Sequence, residues 1–199
     1  EPLEPEAARP LLVSEPGWQV ERADELSARY GEMTFTNGER DLDVKWLPAR
    51  LYEHAVATRK ADPGLDDLGT APAARAEARM FRHSGTRDFV AGWSRGNHML
   101  EARGVVADAS AFRTVLASLR EVDVDTWLSA MPQSVVAPAV QAGAVREMLA
   151  DIPLPPGFDP AEIPHGNGVR DRYHLGAAVA GAVACAWIDR WVAARRDGD

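Results

Sequence analysis

Two apolar segments around a short polar turn decide the fold: Asp88-Phe89-Val90-Ala91-Gly92-Trp93-Ser94-Arg95-Gly96-Asn97-His98-Met99-Leu100-Glu101-Ala102-Arg103-Gly104-Val105-Val106. Within them, Gly92 to Gly96 matches the G-x-S-x-G pattern, which in many hydrolases places a nucleophilic serine between a strand and a helix. The residues after Gly96 include Gly104 and end in two valines, which is typical of a strand and not of a helix. The stretch therefore predicts a β-hairpin with Ser94 beside its turn.

A second hairpin of the same layout lies upstream, around the dipeptide Asn37-Gly38, which is the strongest short-range signal for a two-residue hairpin turn. This first part of the chain is predicted to hold strands over 17–23, 30–36 and 42–47 and a helix from Pro48 to about Lys60. The second part is predicted to hold strands over 77–82, 88–94 and 98–106 and a helix capped by Asp108 or Ser110.

The order β-β-β-α thus occurs twice, over 17–62 and over 75–122. Few residues match between the two units, so chance is an alternative to an internal duplication, and both interpretations stay open. The stretch between the units, from Asp66 to Ala74, shows no periodicity and is predicted to be a loop.

The last third of the chain is predicted to be helical. Helices are predicted over 122–131, beginning near Asp123 or Asp125, over 134–150 with Pro138 in the first turn, and from Val169 or Asp171 to about Arg196. The last of these is apolar on all sides between Leu175 and Ile188, which is shorter than the roughly 20 residues that a bilayer span needs. It is therefore predicted to be a buried core helix, with Cys185 protected inside it.

These elements predict an α+β fold, with a mainly antiparallel sheet built from two β-β-β-α units, helices on one face and a C-terminal helical segment. The predicted organisation is a linker-like segment over 1–16, a sheet domain over 17–122 and a helical segment over 123–199 packed on the sheet domain.

Charge and composition exclude several classes of function. The chain of 199 residues has 22 basic and 30 acidic residues, a formal charge of −8 and a pI near 5.2, which argues against nucleic-acid binding. A single cysteine allows neither an internal disulfide nor a thiolate-rich metal site, and no two of the five histidines have i,i+4 spacing. Neither a Walker loop nor G-x-G-x-x-G is present, so we expect no metal and no cofactor.

Two sets of residues are candidates for chemistry. The first is a serine hydrolase site built on Ser94, with Asp151 or Asp171 and His165 or His174 following in the chain order that α/β-hydrolases use. The missing helix after Gly96 and the lack of an H-G-G-G-type loop argue against it.

The second candidate is a polar cluster that consists of His165, Arg170, Asp171, Arg172 and His174. A glycine-rich loop before a helix N-terminus can hold an anion on backbone N–H groups, and the arginines would add positive charge. In the alternative interpretation Asp171 caps the helix and the arginines are solvated.

Three segments resemble an uncharacterised family of membrane-anchored actinobacterial proteins: Ala111-Phe112-Arg113-Thr114-Val115-Leu116-Ala117-Ser118-Leu119-Arg120-Glu121-Val122-Asp123, Met148-Leu149-Ala150-Asp151-Ile152-Pro153-Leu154-Pro155-Pro156-Gly157-Phe158-Asp159 and Asp171-Arg172-Tyr173-His174-Leu175-Gly176. The match covers mainly residues 90–190. It implies an N-terminal transmembrane helix and an extracytoplasmic domain, and it brings no assigned function and no catalytic residues. The paired hairpins are also similar, at the level of fold alone, to the extracytoplasmic domains of anti-sigma regulators.

The Pro- and Glu-rich start, Glu1-Pro2-Leu3-Glu4-Pro5, lacks Met and is typical of a linker that follows an anchor or signal sequence. We therefore expect an extracytoplasmic, non-enzymatic module of a single-pass membrane protein, which contacts the membrane only through a removed N-terminal anchor and binds a protein or envelope component. The alternative is a small serine hydrolase that uses Ser94. The partner and the oligomeric state are not encoded in any motif.

Overall fold

The computed structural model describes residues 11–27, 29–163 and 168–197. Its strands are β1 (Leu11–Val13), β2 (Gln19–Ser27), β3 (Tyr30–Thr36), β4 (Asp41–Pro48), β5 (Leu65–Ala73), β6 (Ala76–His83), β7 (Asp88–Arg95), β8 (His98–Val105), β9 (Leu119–Glu121), β10 (Val135–Val136) and β11 (Arg170–Asp171). Its helices are α1 (Tyr52–Ala61), α2 (Ala109–Ser118), α3 (Val124–Ser129), α4 (Pro138–Leu149) and α5 (Arg172–Asp197), with 3₁₀ turns at Ala49–Leu51 and Pro160–Glu162.

Seven strands form one sheet in the order β2-β3-β4-β8-β7-β6-β5, and every neighbouring pair is antiparallel. The remaining strands form two small antiparallel pairs, β1 with β9 and β10 with β11. The predicted α+β class with a mainly antiparallel sheet is confirmed. Residues 1–10 of the predicted linker over 1–16 lie outside the described residues. The prediction is wrong for Leu11–Val13, which form β1 against β9 with Leu11 buried in the core.

Both predicted hairpins are present. The turn between β3 and β4 contains Gly38 with φ +84°, and the Asn37 Oδ1 atom accepts hydrogen bonds from the backbone N–H groups of Glu39 and Arg40. Between β7 and β8, Gly96 has φ +54° and occupies the first central position of the turn, where a positive φ favours glycine. Local turn chemistry thus fixes both registers.

The apolar residues of the sheet alternate between two faces, and one face carries the main core. Helix α2 packs on this face, where the rings of Phe89 and Phe112 stack 5.4 Å apart. Helix α3 adds Trp127, whose Nε1–H donates to the Met33 Sδ atom. Trp93 and Trp46 are buried in this core, and Trp18 is half-buried against it.

Helix α1 lies on the opposite face, so the expectation of helices on one face holds for α2 and α3 but not for α1. A Cβ atom built at Gly92 would lie 3.9 Å from the Tyr52 ring, and Arg59 of α1 pairs with Glu101 of β8 on the same face. The chain reaches this face through the 3₁₀ turn that follows Pro48 at the end of β4.

The predicted loop over 66–74 is wrong, because residues 66–73 lie in β5 and only Ala74 belongs to the turn that follows. The register shifts between Asp67 and Thr70, where Gly69 has φ +80°, so the alternation that reveals a strand is interrupted. Ion pairs from Asp66 to Arg82 and from Asp67 to Arg79 join β5 to β6. Pro72 is tolerated because β5 is an edge strand.

In the last third, the Asp123 side chain caps α3 and Pro138 occupies the first turn of α4, as predicted. Helix α4 begins later than residue 134, because Val135 and Val136 pair with β11 before Pro138 starts the helix. A second, smaller core joins α4 to α5, and its α5 members are Leu175, Val179 and Val183.

The prediction that α5 is a buried core helix is wrong. By length and composition alone, residues Arg172–Arg196 are long and apolar enough to cross a membrane. An 18-residue window of this helix has mean hydropathy 1.3, yet only 11% of the window is buried. One face packs on α4, whereas the opposite face has no described neighbour that covers it. Cys185 is exposed, so the expectation that it is protected is also wrong.

Candidate functional site

A buried carboxylate on the edge strand β2, that of Asp24, forms hydrogen bonds with residues at the start of α5. Asp24 is fully buried, and its Oδ1 atom accepts hydrogen bonds from Arg170 Nε at 2.7 Å and from the Asp171 backbone N–H at 3.3 Å. Its Oδ2 atom lies 2.7 Å from His174 Nδ1. Because an ionised carboxylate only accepts hydrogen bonds, the His174 Nδ1–H donates. We call Asp24, Arg170 and His174 the Asp24 cluster.

Glu25 continues the attachment on the other side of the strand. Its backbone N–H donates to the Val169 carbonyl at 2.8 Å, and its Oε2 atom accepts from the Val169 N–H at 2.8 Å. Burial raises the pKa of Glu25, the bond from Val169 opposes this, and the neighbouring Asp24 charge adds to the rise. A Cβ atom at position 168 would come within 2.5 Å of the Glu25 Cβ atom, so Gly168 permits this close approach.

The structure brings together Arg170, Asp171 and His174 from the predicted polar cluster. Arg170 forms an ion pair with Asp24, and its side chain is only 12% exposed. Asp171 accepts from the backbone N–H of Tyr173, as expected for a residue at a helix start. Arg172 instead faces solvent and pairs with Glu147 at 3.1 Å, and His165 lies outside the described residues.

Chemically, the Asp24 cluster fastens α5 to the sheet. The bond to Asp24 fixes the tautomer and the orientation of the His174 ring. Sequence reasoning missed Asp24 and Glu25, whose partners lie about 145 residues away in the chain. A β-bulge after Val20 also hides which face Asp24 takes.

Ser94 does not lie in a nucleophile elbow. It is an exposed residue near the end of β7, opposite Met99 of β8, and another strand follows the turn. His98 pairs with Arg95 and therefore points to the other face of the sheet. Asp171 and His174 are attached to β2, four strands from β7, or roughly 19 Å at the usual strand spacing.

The exposed side of α5 is apolar. With 100° per residue, one face of the helix consists of Tyr173, Ala177, Ala180, Gly181, Ala184, Ile188 and Trp191, which we call the outer face. All seven residues are exposed, and Tyr173, Ile188 and Trp191 keep 79%, 58% and 60% of their surface accessible. The Arg195 guanidinium lies 5.1 Å from the centre of the Trp191 ring, at the end of this face.

A shallow groove lies on another side of α5, between the helix and the connector that carries Pro155 and Phe158. Cys185 and Asp189 line it. Among the described residues, no group of three or more His, Cys, Asp or Glu side chains is placed to hold a metal ion.

No protein-family model matches the chain, and no curated protein does. The chain is similar to one of known crystal structure from Bacteroides thetaiotaomicron VPI-5482, with 14% sequence identity and a TM-score of 0.35. The similarity covers 68% of this chain and 56% of that one. A TM-score this low carries no argument about fold or function.

Proposed function

We propose that this chain is a non-enzymatic, extracytoplasmic module of a single-pass membrane protein and that it binds a protein or envelope component through the outer face of α5. The single observation that carries the proposal is the exposure of that face. Tyr173 and Trp191 alone leave roughly 300 Å² accessible, and contiguous apolar patches larger than a few hundred Å² mark interaction sites on soluble proteins.

Its non-enzymatic character is supported by the geometry around Ser94. A fluorophosphonate probe tests this directly, because it labels an activated serine and ignores an ordinary hydroxyl. We expect no labelling of the folded protein above that of the Ser94→Ala variant. Stoichiometric labelling that disappears in Ser94→Ala would establish the hydrolase and overturn the proposal.

The proposed location rests on the resemblance to membrane-anchored proteins, and Cys185 offers a direct test of it. Cys185 is exposed and is the only cysteine among these residues, so a membrane-impermeant maleimide can report the side of the membrane. In intact cells that express the whole gene, we expect labelling without permeabilisation and a loss of this label in Cys185→Ser. Labelling only after lysis would overturn the extracytoplasmic location.

A further inference from the structure

We infer that the outer face of α5 is a homodimer interface, in which the α5 helices of two copies pack antiparallel about a two-fold axis. This inference rests on the proposed function for its choice of surface and names the partner as a second copy of this chain.

From Tyr173 to Ile188 the outer face has a palindromic order of side-chain sizes, and Trp191 lies outside this order. Measured from the midpoint between Ala180 and Gly181, Ala177 and Ala184 are equally distant on the two sides, and so are Tyr173 and Ile188. In a two-fold interface, residue i of one copy contacts residue j of the other, and j contacts i. An antiparallel pair therefore sets small residues against small residues and each Tyr173 against an Ile188.

This size order suits close helix packing. Small side chains at the crossing point let the two backbones approach to the lower end of the 8–10 Å range for packed helices. The larger residues at the two ends then pack around that contact. A lipid surface would favour bulky side chains along the whole face, which Ala177, Ala180, Gly181 and Ala184 do not supply.

The rest of α5 leaves this face available and uncharged. Helix α4 occupies the opposite side, against Leu175, Val179 and Val183. None of the seven outer-face residues carries a charge, and Asp189 lines the groove. Arg195 points in the same direction as the outer face, but it lies one turn beyond Trp191, so its charge stays at the end of the face. Closing the dimer thus buries apolar surface without burying an unpaired charge.

The available area fits a dimer of moderate affinity. From the exposed fractions of Tyr173, Ile188 and Trp191, and with the four small residues adding roughly a third of the total, one copy offers at most roughly 600 Å², or roughly 1,200 Å² for the pair, at the lower limit of specific interfaces. We therefore expect a reversible, concentration-dependent dimer and not an obligate one.

Sedimentation of the purified 199-residue chain over a wide concentration range tests the inference. The wild type is expected to pass from monomer to dimer, whereas Ala180→Leu should weaken dimerisation at least tenfold because the larger side chain holds the helices apart. Ala180 is exposed in one copy, so this variant should fold normally. Ala142→Leu makes the same change at an exposed position of α4 and should leave dimerisation unchanged.

Cysteine cross-linking in a Cys185→Ser background tests the orientation. Ala180→Cys places a thiol next to the two-fold axis and should form a disulfide-linked dimer on oxidation. Tyr173→Cys should not, because in an antiparallel pair the two copies of this residue are roughly 22 Å apart along the helices. Efficient cross-linking at position 173 would indicate parallel helices and overturn the inference.

Other outcomes are equally decisive. A chain that stays monomeric at every concentration, or a dimer that persists in Ala180→Leu, overturns the homodimer. Monomers that bind lipid vesicles through the same face would assign the face to a lipid surface. Neither result alters the location reported by Cys185, so the failure of this inference is distinguishable from the failure of the proposed function.

Discussion

At the scale of single residues, Glu25 links pH to stability. Burial raises its pKa, so the folded state holds the proton at a pH where the unfolded chain has released it. The free energy of unfolding should therefore fall as pH rises from the ordinary value of 4.5 through the raised pKa. The slope from one such group is at most about 1.4 kcal/mol per pH unit.

Glu25→Gln should remove this slope, because the amide oxygen can still accept the Val169 N–H and carries no proton to release. Denaturant unfolding of both proteins from pH 4 to 8 measures the difference. Parallel curves for wild type and Glu25→Gln above pH 4.5 would contradict the prediction.

Asp66 and Asp88 affect stability in a separate, more acidic pH range. Hydrogen bonds from Arg82 and Arg103 lower their pKa values below 3.8, so their stabilisation is lost only as the pH falls below that value.

At the scale of elements, Asp24 should hold α5 to β2. Asp24→Ala leaves Arg170 nearly buried without its partner, a change that typically costs 3–5 kcal/mol. Glu147→Ala is a matched control, because it removes an exposed partner of the same helix end and should cost about 1 kcal/mol or less. Denaturation midpoints compare the two variants, and equal effects would show that the buried pair does not fasten the helix.

How far the elements follow from sequence depends on the range of the interactions that form them. Asn37-Gly38 and Gly96 set both hairpins through their own backbone preferences, and Asp123 caps α3 through its own side chain, so these features were predictable. The bulge at Gly69 hid β5. The surroundings of α5 and the partners of Asp24 depend on residues far away in the chain, which no local pattern reports.

At the scale of the whole molecule, α5 has two parts with different roles. Truncation after Gly168 removes four buried residues: Val169, Leu175, Val179 and Val183. Each contributes about 1.5–3 kcal/mol, so their summed loss is comparable to the total stability of an ordinary domain. We expect that chain to be unfolded. Truncation after Ile188 removes no buried residue of the described core and should lower the melting temperature only slightly. Circular dichroism of both chains measures this, and a stably folded chain that ends at Gly168 would contradict it.

The attachment of residues 168–171 to β2 also has a consequence for biosynthesis. Glu25 and Val169 are 144 residues apart, so β2 leaves the ribosome long before the segment that covers its outer edge. At 5–20 residues per second, this interval lasts roughly 7–30 s. During that time the nascent chain presents an open strand edge that neighbouring chains can pair with.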